Sequence, residues 1–222
     1  MTAKKKKKIE EEEIVDLTGI EQVVQKNRNV ILGVLAGLVL LAALTLLLKK
    51  NKESGNEKAS VAAFDAQQKY DAGEWASAVD GGEDFMGFAE IAKKYKSSAL
   101  GNLAHYYSGT SYIKLGDNEK ALEHFKKFKA TKDPNINALA FGNTADLQME
   151  AGDESGAIKN YKMAAESGSE LFQANYMLTY ARALIEVSGD DKKALAVLKD
   201  LINKFPLSTE ATSAESYIAG LE

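Results

Sequence analysis

His105 and His124 are the only imidazoles in the chain, and cysteine is absent. Catalytic use of a histidine needs a nucleophile or an orienting carboxylate beside it. These two fall on different predicted helices with no such partner pattern, and both are read as packing or surface side chains. Without thiols there are no disulfide scaffolds, thiolate metal sites or cysteine nucleophiles. The run Asp80-Gly81-Gly82-Glu83-Asp84 holds acids and glycines without calcium-loop spacing, and no Walker A, dinucleotide glycine fingerprint or HExxH occurs in the sequence. The expectation is a chain that is not an enzyme, with no cofactor, metal or small-molecule substrate. Recognition by side chains along a helix face is the chemistry that remains.

The elements that would position such a face are marked by four turns: Gly73-Glu74, Gly116-Asp117, Gly152-Asp153 and Gly189-Asp190. A glycine can take the left-handed conformation that stops one helix, and the acid after it can cap the next. Five residues beyond each glycine stands an alanine, Ala78, Ala121, Ala157 or Ala194, small enough to let two helices approach. Seven residues before the glycine stand Ala66, Gly109 and Ala145 in three units, and Arg182 in the fourth. Phe125, Tyr161 and Leu198 follow the later alanines by four residues, with helix ends expected near Pro134 and Pro206. The first two turn glycines are 43 residues apart, so Gly81 to Asp84 reads as an insertion that breaks the first unit's second helix, which resumes at Phe85 to Tyr95. Ser208 to Gly220 carries Ser/Thr caps and one apolar face with Ala211, Ala214, Tyr217 and Ile218, the pattern of a terminal capping helix.

From Ala59 onward the chain holds 17 Lys+Arg against 24 Asp+Glu, a net of −7, with much Ala, Lys, Glu and Leu and few β-branched runs. That composition favours an all-helical domain and argues against nucleic acid as a partner. The turn, alanine and aromatic offsets resemble tetratricopeptide repeats, best between Asn102 and Pro134. The fold class expected is all-α, an α-solenoid of about four helix pairs with a C-terminal capping helix, over residues 59–222. In such repeats the first helix of each pair lines a concave binding face. Carried onto this sequence, that face holds Tyr70, Tyr106, Thr110, Ile113, Asp146, Met149 and Tyr176, aromatic and Met anchors among acids, suited to an extended peptide or helix with some positive charge. Some of these aromatics are equally read as packing between neighbouring units.

Upstream lies an uncharged apolar run, Val30 to Leu48, in which Thr45 is the polar exception. Nineteen helical residues cover about 28 Å, close to bilayer hydrocarbon thickness. A cleaved leader fits less well, because the run starts some thirty residues in and no small-x-small cleavage site precedes Lys49 and Lys50. We read a single retained transmembrane helix, residues 30–48, between a charged tail at 1–29 and a linker at 49–58. Gly33 and Gly37 form a GxxxG inside it that permits close helix contact. In the tail, Lys4 to Lys8 and Glu10 to Glu13 are blocks of opposite charge, and Ile14, Leu17, Ile20 and Val24 lie at near-helical spacing. Basic flanks do not decide orientation: Lys49, Lys50, Lys52 and Lys58 follow the run, while Lys26 and Arg28 with the distant Lys4 to Lys8 precede it.

A Lys-rich tail, one early anchor, and the stretches Gly87-Phe88-Ala89-Glu90-Ile91-Ala92-Lys93-Lys94-Tyr95 and Asn102-Leu103-Ala104-His105-Tyr106-Tyr107-Ser108-Gly109 resemble the bacterial ancillary Sec translocon subunit family. The resemblance implies an inner-membrane protein with its N-terminus cytoplasmic and its repeats periplasmic. It implies an adaptor or chaperone-like platform whose partners are the Sec translocon and periplasmic folding factors. Two other readings stay open: a scaffold subunit of another cell-envelope assembly or secretion complex, and a cytosol-facing repeat receptor.

Overall fold

A computed structural model describes residues 27–221, in two units, Met1–Asn51 and Lys52–Glu222. The readings of Lys4 to Lys8, Glu10 to Glu13 and Ile14 to Val24 lie outside the described residues. Helix α1, Arg28–Asp71, contributes to both units. In the first, Val34, Leu38, Leu40, Leu41, Leu44, Leu46 and Leu47 are each 53 to 71 % exposed, so they have no protein core to enter. Among the described residues no helix is long and apolar enough to cross a membrane. The run Val30 to Leu48 includes residues whose side chains lie outside the description, Gly33 and Gly37 among them.

The second unit begins inside α1, so the expected linker 49–58 is helical. Ser54, Gly55 and Asn56 read locally as loop formers, yet here two of them serve packing: Asn56 Oδ1 accepts from the Ala99 amide at 2.7 Å, and Gly55 faces the Ser98 Cβ. Tertiary contact overrides weak propensity. The chain continues through α2 (Trp75–Asp80), α3 (Phe88–Lys94), α4 (Ala99–Leu115), α5 (Asn118–Lys127), α6 (Pro134–Glu150), α7 (Glu154–Ser167) and α8 (Glu170–Ala183). A π-turn (Leu184–Ser188), α9 (Asp191–Lys204) and α10 (Thr209–Leu221) complete it. From α3 onward each helix packs on the next, and α8 also touches α6 and α10, as stacked helix pairs do. Pro134 proves to open α6 behind the N-cap Asp133, and does not mark the end of α5.

The four turn glycines all sit at positive φ, +75°, +76°, +78° and +65° at Gly73, Gly116, Gly152 and Gly189. Asp117, Asp153 and Asp190 each accept from the amide three residues on, at 3.1, 3.0 and 3.1 Å. Glu74 makes no such cap; its longer side chain reaches back to the Lys69 amine at 2.8 Å. Ala78, Ala121, Ala157 and Ala194 are wholly buried. A Cβ at Gly109 would stand 2.7 Å from the Phe125 ring, which is why this crossing takes glycine.

The fourth unit departs from the fixed offsets. In the second, the Asp117 amide donates to the Tyr112 carbonyl five residues back; in the fourth, the Asp190 amide donates to Leu184, six back. The π-turn inserts one residue. Ala181, wholly buried, therefore fills the small-residue position, and Leu184, 2 % exposed, fills the place held elsewhere by Tyr112 and Gln148. Arg182, which the fixed offsets put at the small-residue position, is half exposed and paired with Glu186 at 3.5 Å.

The insertion in the first unit ends α2 at Gly81, with φ +85°. Gly81 then bridges to Met86, the single isolated β-bridge among the described residues. A Cβ at Gly87 would strike the Val79 carbonyl, so the two backbones pass in contact. The second helix resumes at Phe88, three residues later than expected. At the far end, Ser208 Oγ caps α10 by accepting from the Ala211 amide at 3.0 Å, and Ala211 and Ala214 are buried in the core shared with Leu198 and Leu201.

Candidate functional site

The first helices of the pairs, the C-terminal half of α1 and then α4, α6 and α8, carry the expected binding residues. Tyr70 Oη donates to Thr110 Oγ1 at 3.1 Å, joining α1 to α4. The Tyr70 ring meets Trp75 and Tyr107 edge-on, at 5.1 and 5.0 Å. Tyr106 lies 6.2 Å from both Phe125 and Phe128. Burial first, then Tyr70, Tyr107, Tyr176 and Asp133, push its phenol up to about 12. Burial and then Asp146 push Tyr176 up to about 12 as well. These hydroxyls stay protonated at neutral pH and remain hydrogen-bond donors.

On α6, Asp146 is exposed and accepts from Tyr161 Oη at 2.6 Å. Burial and this bond raise the Tyr161 pKa. Gly142 leaves room for Tyr176, whose ring would overlap a Cβ there. Tyr70, Tyr106, Thr110, Asp146 and Tyr176 thus share one electrostatic and hydrogen-bonded neighbourhood along successive first helices. Ile113 and Met149 sit toward the turn ends, half-buried, against separate cores. The tyrosines are half-buried too, so each spends part of its surface holding adjacent helices and offers the rest.

The sequence reading treated the histidines one at a time, and the structure brings them together. His105 Nδ1 and His124 Nδ1 stand 3.3 Å apart, between α4 and α5. Burial foremost, then the charges of His124 and Lys127, lower His105 to about 4. Burial and Lys127 lower His124, against an opposing pull from Glu123. Both are therefore neutral near pH 7. Among the described residues no three His, Asp or Glu side chains converge as a metal site would need. The nineteen-residue spacing of the two histidines carries the chain from α4 over the turn into α5, the one signal by which their pairing was readable.

A tetratricopeptide repeat family model matches residues 103–131 and 176–208. Two of the helix pairs fit that model. They are the second, α4 with α5, and the fourth, α8 with α9; the third shares their turn geometry. The curated proteins hold no match to the chain. Tetratricopeptide repeats form a helical scaffold that is generally non-enzymatic and serves protein–protein interaction, and the all-α second unit has that architecture.

Proposed function

We propose that this protein is a membrane-anchored binding platform, held in the bacterial inner membrane by residues 30–48, with its repeat unit in the periplasm beside the Sec translocon. There it engages translocon components, folding factors or emerging secreted chains. The observation that carries the anchor is the cluster of seven apolar side chains on α1, each more than half exposed. Contiguous exposed apolar surface on this scale marks a membrane or protein contact. The Sec assignment rests on the resemblance of the tail, the anchor and the stretches Gly87 to Tyr95 and Asn102 to Gly109. Contacts are assigned to the exposed parts of Tyr70, Tyr106, Thr110, Asp146 and Tyr176, with Ile113 and Met149 at the edges. An anchor raises the local concentration of the groove near its partner, so weak contacts suffice.

In-cell crosslinking of tagged protein, mild-detergent purification and mass spectrometry test the reading. Enrichment of the Sec channel with periplasmic folding factors is the expected result. Enrichment of another envelope complex without Sec components overturns the translocon role and favours a scaffold subunit. The cytosol-facing receptor is favoured by Lys49, Lys50, Lys52 and Lys58 after the anchor. Activity, after Glu222, of a reporter that functions only in the cytoplasm would establish that orientation.

A further inference from the structure

The second unit carries a groove of about 950 Å³ lined by Lys96, Lys127, Lys129 and Lys132 with His105 and Asn102. It adjoins a smaller cavity that shares Lys96, Lys127 and His105 and adds Lys93 and His124. Neither is lined by a carboxylate. Five of the domain's 17 basic residues thus converge here, in a unit whose net charge is −7. We propose that this groove, between α3, the start of α4 and the extended segment 128–133, is a docking site for an acidic peptide segment of a partner protein.

The lysines are not simply scattered on mobile loops. Two asparagines clamp the segment that bears Lys129 and Lys132. The Asn102 side chain donates to the Lys129 carbonyl at 2.7 Å and accepts from its amide at 2.8 Å. Asn137 does the same for Thr131, donating to its carbonyl at 2.9 Å and accepting from its amide at 2.7 Å. Each asparagine pairs with an extended backbone as a neighbouring strand would, and Asn137 is 8 % exposed. Lysines on a backbone fixed in this way lose less freedom when they engage a ligand. The start of α4 is not the attractant, since Ser98 Oγ and Asn56 Oδ1 already accept from its Gly101 and Ala99 amides.

Burial is the main cause of the lowered pKa at both His105 and His124, and the Lys127 charge adds to it; the same positive charge attracts a carboxylate. Glu123 faces the pair as well, but it is bound to the Lys127 amine at 2.5 Å. The neutral histidines, with Asn102 and Thr131, supply hydrogen-bonding groups between the charges.

The lining also selects among polyanions. Nucleic-acid single strands need aromatic platforms for stacking, and no Phe, Tyr or Trp lines either cavity. A bilayer surface is flat, whereas this site is recessed. Alanines are the apolar residues in the walls, which leaves little grip for a drug-like apolar ligand. An extended chain of Asp and Glu residues meets the lysines one after another and tolerates sequence variation. This face therefore suits a partner of opposite charge to the one the tyrosine face suits, and the inference stands apart from the anchor and the Sec reading.

The test uses the full chain in neutral detergent at low salt, with a short fluorescent poly-glutamate peptide followed by anisotropy. Saturable binding that weakens with salt is expected, reduced about tenfold or more in Lys96→Glu/Lys129→Glu, as reversing two complementary charges implies. Lys159→Glu/Lys162→Glu, which changes net charge equally away from the groove, should bind as the parent does. With the two histidine NMR signals assigned through His124→Gln, peptide should raise the pKa of His105 in the parent and not in the groove variant, each shown folded by circular dichroism. Equal loss in both charge variants, or an unmoved His105, overturns the proposal. So does binding of phosphatidylglycerol vesicles or oligothymidylate that depends on Lys96 and Lys129 while the peptide does not bind.

Discussion

At the residue scale, the burial of His105 beside His124 has a consequence for stability. In the unfolded chain an imidazole takes a proton near pH 6.5. His105 in the folded chain resists until about 4, because it is buried against His124 and near Lys127, with Glu123 pulling the other way. Lys93 and Lys96 line the same cavity, and Tyr112 stacks at a tilt 5.5 Å from His124. Between those two pH values the unfolded state binds the extra proton. The site's contribution is therefore complete above pH 6.5, lost as pH falls toward 4, and not lost further below that. Discounting for the solvent-facing edge of the ring, the loss is about 1 kcal/mol, or ~2–4 °C in a domain of this size. Carboxylates titrate in the same range, so the readout is a difference. His105→Gln should narrow the fall in Tm between pH 6.5 and 4 by that amount in thermal scans. Parallel curves for parent and variant would mean that the ring is protonated in the fold.

At the element scale, the four turns were legible because their chemistry is local: a glycine at positive φ, an acid after it that caps the next helix in three of the four, and an alanine at a fixed offset. The π-turn was not legible, because nothing in Leu184 to Ser188 announces an extra residue, and counting by fixed offset then put Arg182 at a crossing that Ala181 fills. The linker misreading has the same origin. Gly55 and Asn56 look like loop residues until Ser98 and the Ala99 amide are seen against them. Substitution separates the two registers of the fourth unit. Ala181→Leu overpacks a wholly buried site and should cost ~1–3 kcal/mol or more. Arg182→Leu gives up a half-exposed ion pair and should cost under about 1 kcal/mol. Urea melts of both variants check the assignment, and the opposite ranking would return Arg182 to the crossing. On the proposed binding face, sequence offsets name positions without dividing packing from contact. Sequence offsets name Tyr106, but only its proximity to Phe125 and Phe128 shows that removing the ring takes stability along with any binding.

At the scale of the whole molecule, the two units solve the burial of apolar surface in different ways. The repeat unit encloses most of its apolar residues in three clusters, running from Ala63 and Phe88 through Tyr112 and Phe125 to Leu198 and Leu201, and leaves Val61, Phe64, Leu115 and Leu207 exposed. Along Val34 to Leu47 the first unit has no such enclosure. Leu38, Leu41, Leu46 and Leu47 are 57, 59, 67 and 60 % exposed, and with successive residues about 100° apart around a helix they point in all directions, so no single protein face could cover them. A surrounding apolar solvent could. If a bilayer supplies it, a charge at the helix centre costs about 2.5–3.5 kcal/mol on insertion, and Leu41→Lys/Leu44→Lys together about twice that. The doubly substituted chain should leave the carbonate-resistant membrane fraction, where the parent remains. Its repeat unit should keep the parent's far-ultraviolet circular dichroism, because neither leucine belongs to the three clusters. Retention of the variant in the membrane pellet would mean that residues 30–48 are not the anchor. Loss of the repeat unit's helical signal would mean that these leucines are needed for its folding and contribute more than a hold on the lipid.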